Sequence, residues 1–130
     1  MIYVCSRASI LERGEMWRKY RSLGWEINSS WIDLDKPGQI SDFSTFWSKI
    51  EDEIRECTHL IFYATEEGDF PLKGVLVEIG MALALNKQVF IVTPGIEIDH
   101  SNYRPLGSWS AHPNIKHFDT LDEAFSNTKE

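Results

Sequence analysis

The chain has 130 residues and a formal net charge of −7 at pH 7. This length suits a single domain over residues 1–130, large enough to bury a hydrophobic core and too short for two. The negative charge argues against a partner bound mainly through nucleic-acid phosphates, because that affinity comes from Lys and Arg displacing counterions. A small anionic ligand remains open, since it needs only a local basic cluster.

Two cysteines, Cys5 and Cys57, lie in apolar segments without the spacing of a redox or zinc motif. We expect reduced thiols packed in the core, with no disulfide, no metal and no cofactor. The first residues lack the basic start of a signal peptide, and no apolar run approaches the ~20 residues of a membrane span. These features predict a cytoplasmic protein that does not associate with a membrane.

In chain order, a first strand is predicted at Ile2–Cys5, followed by a polar turn and an amphipathic helix over residues 10–23 that Gly24 ends. Alternation predicts a second strand at residues 25–32, and a Pro-Gly pair predicts a turn at residues 35–39. The remaining predicted elements are a helix from about 41 to 54, a strand at 59–64, a polar loop at 65–72, a helix at 73–86, a strand at 88–93, a loop at 96–113, a strand at 114–118 and a helix at 121–125.

Strands alternate with helices five times along the chain. Right-handed crossovers then predict an α/β fold, a flavodoxin-like or Rossmann-like domain with a five-stranded parallel sheet in the order 2-1-3-4-5 and helices on both faces. Ligands of such sheets bind beyond the carboxyl ends of the strands. The sequence therefore places a site among the loops at residues 6–9, 31–35, 65–72 and 94 onward.

Glu78 is the one charged residue among residues 74–86. A helix that is apolar on every side is normally buried, and desolvating a carboxylate there is expensive. Either Glu78 pairs with a basic side chain or reaches solvent from the helix edge, or it points into a pocket. Perturbed acids in clefts are enriched at active sites, which favours the pocket.

Ser6, Arg7 and Ser9 follow the first strand at a helix N-terminus, where backbone N–H groups and the helix dipole favour a phosphate. Alternatively, Ser9 caps the helix and Arg7 is solvated. Asp33 and Asp69 lie in loops at the same edge, where each is either a turn residue or a group that holds a sugar hydroxyl or protonates a leaving base.

Aromatic and small residues in these loops suggest a nucleobase site. Trp31 and Phe70 offer flat surfaces for stacking, unless they belong to the core. Lys73 and Gly74 begin the Glu78 helix, and Gly74 permits close approach of a ligand. No Walker loop, dinucleotide fingerprint or Gly-x-Ser-x-Gly elbow is present, which removes the usual NTPase, dinucleotide and hydrolase interpretations.

Three segments together resemble the nucleoside 2-deoxyribosyltransferase family, which includes hydrolases of deoxynucleoside monophosphates. They are IYVCS at residues 2–6, THLIF at 58–62 and, above all, GVLVEIGMALALNKQV at 74–89. The resemblance implies cleavage of an N-glycosidic bond, or transfer of 2-deoxyribose, on a nucleoside or nucleoside 5′-monophosphate, with Glu78 attacking the anomeric carbon. It also implies that Asp69 contacts the base and that Glu51 binds the sugar or assists proton transfer.

The candidate substrate-binding residues are Tyr3, Ser6, Arg7, Ser9, Trp31, Asp33, Phe70, Lys73, Gly74, Ser108 and Trp109. The resemblance further implies a homodimer or larger homo-oligomer in which the loop at residues 96–113 closes a neighbour's pocket. The first loop has Ser6 and Arg7 where many members of the family have Gly. A module that binds a nucleotide without turnover therefore stays open, as does a structural domain that neutralises Glu78 in a salt bridge.

Overall fold

The computed structural model describes residues 1–34, 40–65 and 72–129. In this part of the chain the α-helices and strands are β1 (Ile2–Cys5), α1 (Leu11–Ser22), α2 (Phe43–Glu56), β2 (His59–Tyr63), α3 (Lys73–Ala84), β3 (Gln88–Val92), β4 (Ile115–Phe118) and α4 (Leu121–Asn127). Two 3-10 helices lie at Ser30–Asp33, called the 30–33 turn below, and at Ser108–Ala111. The turn predicted at residues 35–39, and residues 66–71 of the predicted loop, lie outside the described residues.

The four strands form one parallel sheet in the order β1-β2-β3-β4. On one face, the indole of Trp17 in α1 contacts the rings of Tyr63 in β2 and Phe125 in α4. On the other face, α2 and α3 pack side by side, and Tyr3 of β1 bonds to Glu78 of α3. The predicted α/β fold with a parallel sheet between helices is therefore confirmed.

The prediction of a second strand at residues 25–32 is wrong. The sheet of the described residues therefore has four strands instead of the predicted five. Ile27 forms a single parallel bridge with Ile2 of β1. Beyond that bridge, side chains replace the backbone ladder. Ser29 Oγ accepts a hydrogen bond from Val4 N at 2.7 Å, and Trp31 Nε1 donates to Val4 O at 2.8 Å. Because side chains satisfy the edge of β1, the chain is free to coil into the 30–33 turn.

The predicted helix that begins near Asp42 is confirmed as α2. The Asp42 side chain accepts a hydrogen bond from Thr45 N at 3.1 Å, which caps the helix. Ile50 and Ile54 are buried against the rest of the core, whereas Phe43 at the start of the helix is 65% exposed.

Cys5 and Cys57 are buried free thiols, as the sequence predicts. Burial raises the pKa of the Cys5 thiol well above its usual range, which keeps it protonated and unreactive. Helices in the described ranges are all too short or too polar to cross a membrane.

Candidate active site

Helix α3 divides its side chains between solvent and the interior. Leu76 and Val77 are 44% and 50% exposed, whereas the next residue, Glu78, is 8% exposed and shares the buried side of the helix with Val75 and Ile79. The sequence therefore predicts the burial of Glu78 correctly. Half of this apolar helix nevertheless faces outward.

The Glu78 carboxylate is bonded to a tyrosine of the sheet. Tyr3 of β1 is fully buried, and its hydroxyl donates a hydrogen bond to Glu78 Oε1 at 2.7 Å. Burial and the nearby carboxylate raise the pKa of Tyr3 far above its usual value, so the phenol stays protonated and remains a donor. β1 positions this hydroxyl, because side chains alternate along a strand and Tyr3 points toward the α2 and α3 face.

Opposing effects set the ionisation of Glu78. Together they raise its pKa from 4.5 to about 7: burial is the largest cause and raises the pKa, the Tyr3 hydrogen bond lowers it, and the nearby carboxylate of Glu53 raises it. A carboxylate with this pKa is half ionised near neutral pH, and when ionised it is poorly hydrated. Both properties suit a nucleophile or a proton acceptor.

No ion pair joins Glu78 to a basic side chain within residues 1–34, 40–65 and 72–129, where the ion pairs are Arg21 with Asp33 and Arg55 with Glu51. The salt-bridge interpretation of Glu78 thus has no support in this part of the chain. An uncompensated buried acid is costly, and such groups occur where function requires them.

The first loop separates its three predicted site residues. Ser6 is buried, and its hydroxyl accepts a hydrogen bond from Trp17 Nε1 at 3.0 Å. Arg7 and Ser9 are exposed and bonded to each other at 3.1 Å. Ser9 does not cap α1, because the N-cap is Ile10 and it has no side-chain bond. The pairing of Arg7 with Ser9 leaves the capping interpretation of Ser9 unsupported.

Trp31 and Asp33 lie on the 30–33 turn, beside the carboxyl end of β1. Trp31 is 9% exposed, so most of its ring lies in the core rather than on a stacking surface. Asp33 is exposed and forms a two-point ion pair with Arg21 at 3.0 and 2.7 Å, and the guanidinium hydrogen bonds hold the pKa of Asp33 below its usual range.

Helix α2 buries a different acid from the one that the resemblance singles out. Glu51 is exposed and pairs with Arg55 at 3.0 Å, whereas Glu53 is 9% exposed and faces the interior. The structure does not bring Glu51 to Glu78. The helical period of the sequence could have identified Glu53 as buried, because Glu53 lies three residues after the buried Ile50 and so shares its side of the helix.

Lys73 is exposed at the first position of α3, and Gly74 follows it with the ring of Trp47 nearby. A methyl group at Gly74 would meet that ring at 3.6 Å, an ordinary contact, so packing does not require glycine there. Asp69 and Phe70 lie outside the described residues, and their predicted roles stay predictions.

Ser108 and Trp109 belong to the second 3-10 helix, which His117 Nε2 ties to β4 through the Ser110 carbonyl at 3.0 Å. Gly107 precedes this helix at a φ of +137°, and a side chain there would collide with the Trp109 indole at 2.8 Å. β4 is the sheet edge opposite β1, so the structure does not bring these residues to Glu78 within one chain. Closure of a neighbour's pocket by this loop stays a prediction.

Arg13 is a buried basic residue that sequence inspection did not single out. It is 7% exposed, its Nη2 donates to Thr65 Oγ1 at 2.9 Å, and its guanidinium lies 4.7 Å from the centre of the Tyr63 ring. It thus places a positive charge at the carboxyl end of β2, beside the predicted loop. Its charged neighbours in α1, Glu12 and Glu15, give it the appearance of a solvent-facing residue in the sequence.

The described residues contain no cluster of three or more metal-ligating side chains. A surface groove of about 550 Å³ lies on the face opposite Glu78, between α1 and the start of α4, and is lined by Met16, Tyr20, Tyr63 and Leu121. Neither Tyr3 nor Glu78 lines this groove. We place the candidate active site at the Tyr3 and Glu78 pair, because that pair holds a buried acid with a raised pKa.

No protein-family model matches this chain, and no curated protein matches it. Solved structures are similar to it over nearly their whole length, among them the following two. A 2-deoxyribosyltransferase from Leishmania mexicana has a TM-score of 0.66 and 22% sequence identity, with 97% of this chain and 94% of that chain covered. The CMP N-glycosidase BcmB from Clostridium botulinum has a TM-score of 0.58 and 15% identity, with 98% and 97% covered. The chain has the nucleoside 2-deoxyribosyltransferase fold.

The predicted resemblance to nucleoside 2-deoxyribosyltransferases is therefore confirmed at the level of the fold. The structural likeness extends over 97% to 98% of this chain. Within the 2-deoxyribosyltransferase fold of this chain, Glu78 lies on α3 and Tyr3 on β1, so the two site residues come from the segments that carry the sequence resemblance.

Proposed function

We propose that this protein cleaves the N-glycosidic bond of a nucleoside or nucleoside 5′-monophosphate, passing the sugar to water or to a second base. The observation that carries the proposal is a buried carboxylate, Glu78, bonded to the Tyr3 hydroxyl and not to a basic side chain. The proposal is further supported by the fold, since one of the two similar structures is named a CMP N-glycosidase and the other a 2-deoxyribosyltransferase.

In the proposed reaction an ionised Glu78 oxygen attacks the anomeric carbon of the sugar. The new bond forms as the N-glycosidic bond breaks, and the electron pair leaves with the base, which takes up a proton. Asp69, which the resemblance places in contact with the base, is a candidate for the proton donor. Water, or a second base, then attacks the same carbon from the other face, gives a proton back to that donor and releases Glu78 as a carboxylate.

Tyr3 is a positioning residue in this scheme. Its hydroxyl fixes one carboxylate oxygen at 2.7 Å and leaves the other free to attack. A hydrogen bond to the charged form of an acid favours that form, so Tyr3 partly offsets the burial that disfavours ionisation of Glu78.

A panel of ribo- and deoxyribonucleosides and their 5′-monophosphates, analysed by chromatography of the released bases, tests the proposal. We expect release from at least one class, and the addition of a second free base distinguishes transfer from hydrolysis. Tight nucleotide binding in calorimetry without release from any substrate would instead favour a non-catalytic binding module.

Tyr3→Phe should move the acid limb of the activity profile. The activity of the wild type, as kcat/KM, should rise with pH through about 7, as Glu78 ionises. Loss of the Tyr3 hydrogen bond removes an effect that lowers the pKa of Glu78, so the limb should move upward by about one pH unit. Tyr20→Phe is the matched control, since its hydroxyl bonds to Asp122 on the other face. Superimposable profiles for Tyr3→Phe and the wild type would contradict this role.

Self-association is part of the same proposal. The outer side of α3 exposes Leu76 and Val77, and the neighbouring α2 exposes 65% of Phe43. Adjacent exposed apolar side chains mark contact surfaces. A second copy suits this face because contact between two copies would bury these apolar side chains on both.

Leu76→Glu should therefore convert an oligomer into a monomer, as sedimentation velocity would measure. Leu23→Glu is the control, because Leu23 is 67% exposed at the end of α1 and lies away from this face. A monomeric wild type would contradict the proposed assembly.

A further inference from the structure

The buried acid of α2, Glu53, holds the 30–33 turn. Its two carboxylate oxygens accept hydrogen bonds from Ser30 N at 3.3 and 3.2 Å, and its backbone carbonyl accepts one from Asn28 Nδ2 at 2.8 Å. The side chain is 9% exposed. α2 is therefore bonded at two points to the segment that runs along the edge of β1.

The 30–33 turn depends on this contact for its N-terminal cap. Its own N-cap residue, Ser29, makes no capping bond, because the Ser29 hydroxyl accepts from Val4 N instead. Free N–H groups at the start of a helix need an acceptor, and a negative charge is favourable there. Glu53 of α2 supplies the acceptor and the negative charge. α2 thus holds the start of the turn, while β1 bonds to Trp31 and α1 to Asp33.

Glu53 is also the second buried carboxylate of the Tyr3 and Glu78 cluster. The titratable groups that face Glu78 are Tyr3 and Cys5 from β1 and Glu53 from α2. The carboxylate of Glu53 raises the pKa of Glu78 and so opposes its ionisation. A neutral Ser or Asn could have capped the turn without this effect.

We propose that Glu53 is a positioning residue for the glycosyl chemistry, which fixes the 30–33 turn beside β1 and sets the charge environment in which Glu78 ionises. The inference rests on the proposed function. It assigns two separable roles to one side chain, a hydrogen-bond acceptor for Ser30 and a negative charge near Glu78.

Two variants separate these roles. Glu53→Gln keeps an acceptor oxygen for Ser30 N and removes the charge, so the acid limb of kcat/KM should move to lower pH while KM stays within about twofold of the wild type. Glu53→Asp keeps the charge and shortens the reach, so it should leave the limb in place and raise KM several-fold. Glu56→Gln, which changes an exposed acid at the end of the same helix, should change neither.

Two measurements test the proposal without requiring catalytic activity. NMR titration of the Glu78 carboxyl carbon should show ionisation at lower pH in Glu53→Gln than in the wild type. Hydrogen exchange of the Ser30 amide should be at least about tenfold faster in Glu53→Asp, because a loss of 1.4 kcal/mol changes an equilibrium tenfold.

Failure of this inference can be told apart from failure of the proposed function. If the wild type releases no base, the function fails, while a downward shift of the Glu78 titration in Glu53→Gln still supports the role of Glu53. An unchanged titration in Glu53→Gln, or unchanged exchange of the Ser30 amide in Glu53→Asp, would overturn the role of Glu53 even in an active enzyme.

Discussion

Glu78→Gln is expected to lose base release by roughly 10³-fold or more on any substrate that the wild type cleaves. The amide has nearly the same shape and still accepts the hydrogen bond from Tyr3, but it lacks the charge that attacks the anomeric carbon. The measurement is chromatography of released base under single-turnover conditions, with circular dichroism to verify the fold.

The matched control for this loss is Glu56→Gln. It removes an acid of equal size from an exposed position at the end of α2 and should keep nearly full activity. Full activity of Glu78→Gln would rule out a carboxylate nucleophile at this position, whatever the substrate.

The same substitution should stabilise the protein at alkaline pH. The folded pKa of Glu78 is about 7, above its ordinary value of 4.5, so the folded state binds this proton more tightly than the unfolded state. The free energy of unfolding of the wild type therefore falls as the pH rises through the window from 4.5 to about 7. A gap of this size corresponds to about 3 kcal/mol.

Glu78→Gln has no proton to lose in this window. Its stability relative to the wild type should thus rise by about 3 kcal/mol between pH 4 and pH 8. Urea unfolding at both pH values measures the change, and Glu56→Gln should show less than about 1 kcal/mol because its carboxylate is exposed to solvent. A difference between Glu78→Gln and the wild type that does not vary with pH would show that Glu78 is not an uncompensated buried acid.

A substitution that removes activity and raises stability is the expected signature of a functional site, where a local electrostatic cost is kept for chemistry. A structural salt bridge would behave in the opposite way, because loss of one partner leaves the other charge buried and destabilises the fold. The two Glu78→Gln experiments together therefore distinguish the enzyme from the structural domain.

Most helices and strands could be predicted from the sequence because their periods are strong. β1 has the predicted bounds, and the apolar spacing of residues 43–54 identifies α2. The segment at residues 25–32 was mispredicted because its alternation is that of a strand, while Ser29 and Trp31 supply side-chain bonds to β1 in place of the backbone ladder. The periodicity of apolar residues does not indicate that the Ser29 hydroxyl, in place of a backbone carbonyl, accepts the hydrogen bond from Val4 N.

The candidate site could be predicted only in part. A single charge within an apolar helix identifies Glu78. Tyr3 is one hydrophobic residue among several in β1, and only the family resemblance makes it a candidate site residue. Glu53 was missed because helix α2 carries several acids, and which of them is buried depends on how the helix packs. Ser108 and Trp109 lie by β4, which only the strand order places far from β1.

The most direct test of the central claim is acid quenching during turnover, followed by peptide mass spectrometry. The account predicts a sugar adduct on the carboxylate of Glu78, and no adduct in the Glu78→Gln variant. Base release accompanied by an adduct on another residue, or by none on Glu78 at any time point, would contradict it.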